Sequence, residues 1–128
     1  MSHYQVKLSA ILHVSVVISN LETSLDFYVR TLGLNVDNER PDLGYPGAWL
    51  NIGSQQIHLL QVDNVDPAAG RPEHVGRDRH VAMQVDSIEQ LASVLSTERI
   101  PYTKSSSGRE ALFCRDPDGN GLEFIKTG

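Results

Sequence analysis

The chain has 128 residues, eleven of them Lys or Arg and sixteen Asp or Glu, for a formal net charge of −5. Forty per cent of it is hydrophobic and 21% charged, ordinary for one globular domain and against disorder. The single cysteine, Cys114, excludes an internal disulfide scaffold, and the mild acidity gives no pull toward nucleic acid or an anionic membrane.

Residues 11–18 form a β-branched apolar run that reads as a strand. Residues 8–18 superficially resemble a secretory core, but Ser9, His13 and Ser15 interrupt it and no small-residue cleavage site follows. The stretch is also too short and polar to span a bilayer, so the expected location is cytoplasmic. Asn20 is a helix N-cap, Leu21, Leu25, Tyr28, Val29 and Leu32 recur at helical spacing, and Gly33 is the stop. Leu34–Val36 is a short strand, and residues 37–47, with two prolines and two glycines, are loop. Ala48–Ile52 and Ile57–Gln61 are strands joined around Gly53-Ser54. Residues 62–79 carry no apolar stripe and form a linker or a long functional loop. His80–Val85 is a strand, and Ser87 with Gln90 caps a helix bearing Ile88, Leu91, Val94 and Leu95. Pro101 ends that region. Ala111–Cys114 and Leu122–Lys126 are strands joined by the turn Asp116-Pro117-Asp118-Gly119-Asn120.

The second half repeats the first. His13–Glu22 lies over His80–Glu89 at an offset of 67 residues, and Ile57–Leu60 lies over Leu122–Ile125 at an offset of 65. Alternate residues of a strand share a face. Leu12, Val14, Val16 and Ile18 oppose His13, Val81, Met83 and Val85 oppose His80, Ile57 and Leu59 oppose His58, and Leu122 and Phe124 oppose Glu123. Each apolar face wants a helix-packed core. The four ionisable residues, His13, His58, His80 and Glu123, therefore sit at two repeat-equivalent pairs of positions and are expected to converge in a pseudo-symmetric cup. Imidazoles and a carboxylate on rigid strands suit a divalent metal such as Zn, Ni, Fe, Mn or Co.

These residues, with the run His13–Tyr28, Leu32-Gly33-Leu34, Ile57–Leu60, His80–Met83 and Asp116–Phe124, resemble the vicinal oxygen chelate superfamily. That superfamily includes glyoxalase I, fosfomycin thiol transferases, extradiol dioxygenases and bleomycin-binding proteins. The resemblance implies an α+β fold of two βαβββ modules, whose curved mixed sheets surround a metal cup. The modules would span about residues 8–62 and 80–126 of a single domain, with the linker at about 63–79. It implies that His13, His80 and Glu123 are metal ligands. His58 stands where glyoxalase I has a glutamate ligand; histidine there still binds a metal and is expected as the fourth ligand, but it removes one of that enzyme's two candidate carboxylate bases. The resemblance also implies a homodimer, often with the metal site shared between chains.

The expected function is a divalent-metal-dependent, glyoxalase-like lyase or isomerase that polarises vicinal oxygens of a small anionic substrate, with Glu123 as the proton carrier. Two alternatives share the metal: an extradiol-type dioxygenase and a thiol transferase. A third, of another class, is a metal-free protein that binds a drug or metabolite. In the loop 70–79, Arg79 directly precedes His80 and is best placed as an anion clamp, with Arg71 beside it and Arg109 in a second loop. The competing reading of these arginines is solvated surface ion pairs. Trp49 either lines a pocket or packs in the core. Asp116-x-Asp118-x-Asn120-Gly121 imitates the start of a calcium loop, but the twelfth position is Thr127 rather than glutamate.

Overall fold

The structure is a computed structural model that describes residues 5–66, 68–105 and 108–127. Strand β1 (His13–Ile18) leads into helix α1 (Leu21–Leu25) and a π-helical turn (Asp26–Thr31), then β2 (Asn35–Val36), β3 (Gly47–Ile52) and β4 (Gln55–Gln61). A 3-10 turn (Val75–Arg77) precedes β5 (His80–Val85), helix α2 (Ile88–Thr97), β6 (Tyr102–Lys104), β7 (Ala111–Arg115) and β8 (Gly121–Lys126). The first sheet has the order β1-β4-β3-β2 and the second β5-β8-β7-β6. In each, the outer long strand pairs parallel to the last strand of its own half, and the remaining pairs are antiparallel. Both halves thus read βαβββ with the same strand order. Among the described residues, no helix is long and apolar enough to cross a membrane.

The register repeats as well. Ser15, two residues after His13, pairs with His58; Ala82, two residues after His80, pairs with Glu123. Across the next strand pair, Trp49 lies opposite His58 and Phe113 opposite Glu123. The alternation read from sequence explains this placement. Ile57, Leu59, Leu122 and Phe124 are buried on the apolar faces, within one core cluster that draws on both halves.

Two local differences from the expected elements have physical causes, and one expected turn shows how its oxygens are used. The first helix does not run on as an α-helix to Leu32. It widens after Leu25, with Leu32 N–H donating to the Phe27 carbonyl five residues back at 3.0 Å. The widened turn lets two adjacent large rings, Phe27 and Tyr28, both point inward, meeting edge to face at 5.0 Å. Strand β6 was not expected, because three residues after a proline show too little alternation to register. The turn that imitates a calcium loop uses its oxygens internally. Asp116 Oδ1 accepts the Asp118 and Asn120 N–H groups at 2.9 and 2.8 Å.

That turn also ties the halves together. The Tyr28 hydroxyl donates to Asp116 Oδ2 at 2.8 Å, Asn120 Nδ2 donates to the Val17 carbonyl at 3.0 Å, and Ser19 N–H donates to Asp118 Oδ1 at 3.0 Å. Burial, reinforced by the neighbouring Asp116 charge, raises the Tyr28 pKa well above its ordinary value.

Candidate metal centre

The sheet order places β4 between β1 and β3, so His58 lies between His13 and Trp49. The His13 and His58 rings stack at 3.8 Å with an 11° interplanar angle, and Trp49 and His58 stack at 4.5 Å and 7°. Gln56 fixes the His58 tautomer. Its amide nitrogen donates to Asp37 Oδ2 and Asn51 Oδ1, at 2.8 and 2.9 Å, which turns its carbonyl oxygen toward His58 Nε2 at 2.8 Å. His58 Nε2 is therefore the N–H donor, and the lone pair of the neutral ring lies on Nδ1. Burial lowers the His58 pKa, with His13 and then Arg40 adding to the shift, which keeps the ring neutral. A ring nitrogen binds a metal in its own plane. Two parallel stacked rings do not aim their lone pairs at one point, so joint coordination by His13 and His58 requires one ring to turn.

The second sheet holds a histidine–glutamate pair. His80 Nε2 lies 3.1 Å from Glu123 Oε1, and His80 Nδ1 lies 2.9 Å from the Asp78 carbonyl oxygen. The carbonyl can only accept, so Nδ1 carries a proton and Nε2 is turned to the carboxylate. This is the orientation that a metal-binding imidazole takes from its outer partner. Arg109 Nη2 donates to Glu123 Oε2 at 3.1 Å. Glu123 is 5% exposed, so both of its oxygens have partners in a place where an isolated charge would be costly. A cleft beside this pair is lined by His74, Arg77, His80, Arg109, Phe113 and Glu123.

The structure thus brings His13 to His58 and His80 to Glu123. Among the described residues it assembles no group of three His, Cys, Asp or Glu side chains able to hold one metal ion. Each half of the chain therefore presents one pair of these residues.

The model of the Glyoxalase/Bleomycin resistance protein/Dioxygenase superfamily matches residues 10–124. The chain belongs to that superfamily. Glyoxylase I 4 of Arabidopsis thaliana is 29% identical over 91% of this chain and 70% of its own length. The uncharacterised Bacillus subtilis protein YwkD is 32% identical over 93% of this chain and 98% of its own. Lactoylglutathione lyase of Escherichia coli O157:H7 is 24% identical over 91% of each chain. Among solved structures, a glyoxalase-family protein of Bacillus anthracis superposes with a TM-score of 0.81 at 24% identity, covering 98% of this chain and all of that one. The Listeria monocytogenes fosfomycin resistance protein FosX, solved with Mn(II), superposes at 0.74 with 13% identity and 95% coverage of both chains. These two likenesses show the vicinal oxygen chelate fold.

Within that fold the arginines divide. Arg109 and Arg77 face the cleft beside Glu123. Arg71 does not; it pairs with Asp78 Oδ1 at 3.1 Å, while Arg115 takes Asp78 Oδ2 at 2.8 Å. The Arg115 hydrogen bond leads the causes that lower the Asp78 pKa. Arg79 is largely exposed and pairs with Asp66 at 2.9 Å, on the other side of the loop from the Glu123 cleft lining. Sequence reasoning missed His74, Arg77, Phe113 and Gln56. Phe113 matches Trp49 only through the strand register, since the sequence offset of 65 sets Cys114 over Trp49. His74 lies in a loop without periodicity and had no usable signal, whereas Arg77 belongs to the arginine-bearing loop 70–79 in which sequence position favours Arg79.

Proposed function

We propose that the chain is a divalent-metal-dependent glyoxalase-like enzyme, of lyase or isomerase type, acting on a small anionic substrate. The observation that carries this reading is the His80–Glu123 pair, with His80 held by the Asp78 carbonyl so that Nε2 faces Glu123 Oε1. The donor set of imidazoles and one carboxylate fits Zn, Ni, Fe, Mn or Co, and His80, Glu123 and His13 would hold the ion. When bound, the metal would supply Lewis acidity toward two vicinal substrate oxygens.

The chain's own residues supply the rest. Glu123 is the one carboxylate of the four and takes and returns the proton beside those oxygens. Phe113, edge-on to His80 at 6.3 Å, helps keep water from the buried side of Glu123. Arg77 and Arg109 give the cleft its preference for an anion. His58 supports His13 through the stack and becomes a fourth ligand only if its ring turns.

Because the two pairs are separate in one chain, we infer that a homodimer joins His13 of one copy to His80 and Glu123 of the other. Ile11 and Leu12, which lead into His13, are 66% and 72% exposed, the kind of apolar surface a subunit contact covers. Mixing His13→Ala and His80→Ala chains tests both inferences. If sites form between copies, each mixed dimer regains one intact site, and metal binding returns to the mixture. If sites form within a chain, binding stays absent. If wild-type protein prepared without chelator carries no metal, and added Zn, Ni, Mn or Fe shifts no melting temperature, the metal reading fails. Retained small-molecule affinity in metal-free His13→Ala protein would then favour a metal-free binding protein, with the flat Trp49–His58 pair as the candidate surface.

A further inference from the structure

Arg109 occupies the place that matters most for loading the site. Its Nη2 donates to Glu123 Oε2 at 3.1 Å while His80 takes Oε1 at the same distance, so the two partners divide the carboxylate between them. The two partners differ in placement. The His80 side chain is 26% exposed and rises from strand β5. The Arg109 side chain is 57% exposed and lies in the loop between β6 and β7. They also differ in chemistry. Imidazole offers a lone pair once Nε2 gives up its proton, and can then bind a cation beside Glu123. Guanidinium has none and keeps its positive charge, so it repels a metal ion on the same carboxylate.

We propose that Arg109 is a stand-in counter-ion for Glu123, displaced when the metal loads and then released into the adjoining cleft, where it binds the anionic group of the substrate. This rests on the reading of His80 and Glu123 as metal ligands. The cleft is built to receive such a group. Arg77 lies on its wall, and the His74 ring accepts the Gly76 N–H at Nδ1 at 2.9 Å, which leaves Nε2–H as a donor in the neutral ring. Phe113 packs edge to face with His74 at 5.0 Å and closes the apolar side. Metal binding and substrate binding are thereby ordered, since the anion site gains its second arginine only after the metal has arrived.

The test compares the full chain with Arg109→Gln and Arg77→Gln, each stripped of metal by chelator. Arg109→Gln is expected to lower the melting temperature of the metal-free protein and to tighten Mn(II) roughly tenfold, one charge-assisted hydrogen bond discounted for exposure. The same variant, once loaded with Mn(II), should bind methylphosphonate roughly tenfold more weakly, for loss of one guanidinium contact. Arg77→Gln should weaken methylphosphonate without tightening Mn(II). If the glutamine variant does not fold, Arg109→Lys keeps the charge but not the planar fork and should shift Mn(II) affinity in the same direction by less. Equal Mn(II) affinity in wild type and Arg109→Gln overturns the proposal and leaves the metal reading standing. Equal tightening by Arg77→Gln also overturns it, because the effect would then be a general loss of positive charge. Mn(II) binding by none of the proteins overturns both.

Discussion

Tyr28→Phe removes one oxygen atom and, with it, the hydrogen bond from the first half's helix to Asp116 in the second. Tyr28 is fully buried and Asp116 is 5% exposed, so water does not replace the lost donor. A hydrogen bond to a charged group is worth about 1.5–3 kcal/mol net. Asp116 Oδ2 keeps a second donor, Asn120 Nδ2 at 2.8 Å, so the carboxylate is not stranded and the lower part of that range applies. With a urea slope near 1.5 kcal/mol/M for a domain of this size, the midpoint should fall by about 1 M. Tyr102→Phe is the matched control. Its hydroxyl is only 3.5 Å from Ser96 Oγ, at the surface, and the same chemical change should cost under about 0.5 kcal/mol. Equal midpoints for the two variants would refute the claim that the Tyr28–Asp116 bond holds the halves in register.

The remaining predictions concern strands β7 and β8. Burial raises the Cys114 thiol from 9.0 to about 12, so the native protein should resist iodoacetamide at pH 8 and react only once unfolded; prompt native labelling would show an open strand. A raised thiol also means that the unfolded chain loses this proton first. Its contribution is whole below pH 9 and declines as pH rises toward 12, so the urea midpoint of wild type should fall with pH in that window more steeply than that of Cys114→Ala. Gly121→Ala would place a Cβ 2.7 Å from the Arg79 carbonyl oxygen and 2.9 Å from Val75 Cγ1, at the strand pair that carries His80. Overpacking of this kind costs about 1–3 kcal/mol, and a melting temperature unchanged from wild type would show that the Arg79 backbone yields.

What could be read in advance follows from period and repetition. The faces of β1, β4, β5 and β8 were legible because apolar residues alternate there, and alternation fixes which side chains share a side. The offset of 67 between His13 and His80 carried the equivalence of the two halves. Distance was not legible. Face assignment places His13, His58, His80 and Glu123 on matching faces, but nothing in a one-dimensional pattern sets the separation of two sheets, and the structure groups the four as two pairs. Ring stacking was equally hidden, since it depends on Trp49 and His58 meeting across β3 and β4. The arginines were distinguishable only by their partners. Proximity to His80 in sequence favoured Arg79, whereas the cleft is reached by Arg77 and, from a separate loop, by Arg109.

The departure at position 58 bears on the substrate. A dication held by His13, His80 and Glu123 would keep one net positive charge, and a neutral His58 that turned to become a fourth ligand would leave it unchanged, whereas a carboxylate at 58 would neutralise it. Burial and the neighbouring His13 and Arg40 hold His58 neutral, so its ring adds no compensating charge. The positions left open on the ion would then be filled best by an anionic chelating group, which offsets the remaining positive charge. The arginines beside Glu123 act in the same sense. Both features therefore favour a substrate that carries its own negative charge at the reacting oxygens. His58→Glu, by restoring the carboxylate, should bind a dication more tightly while weakening the selection for that charge.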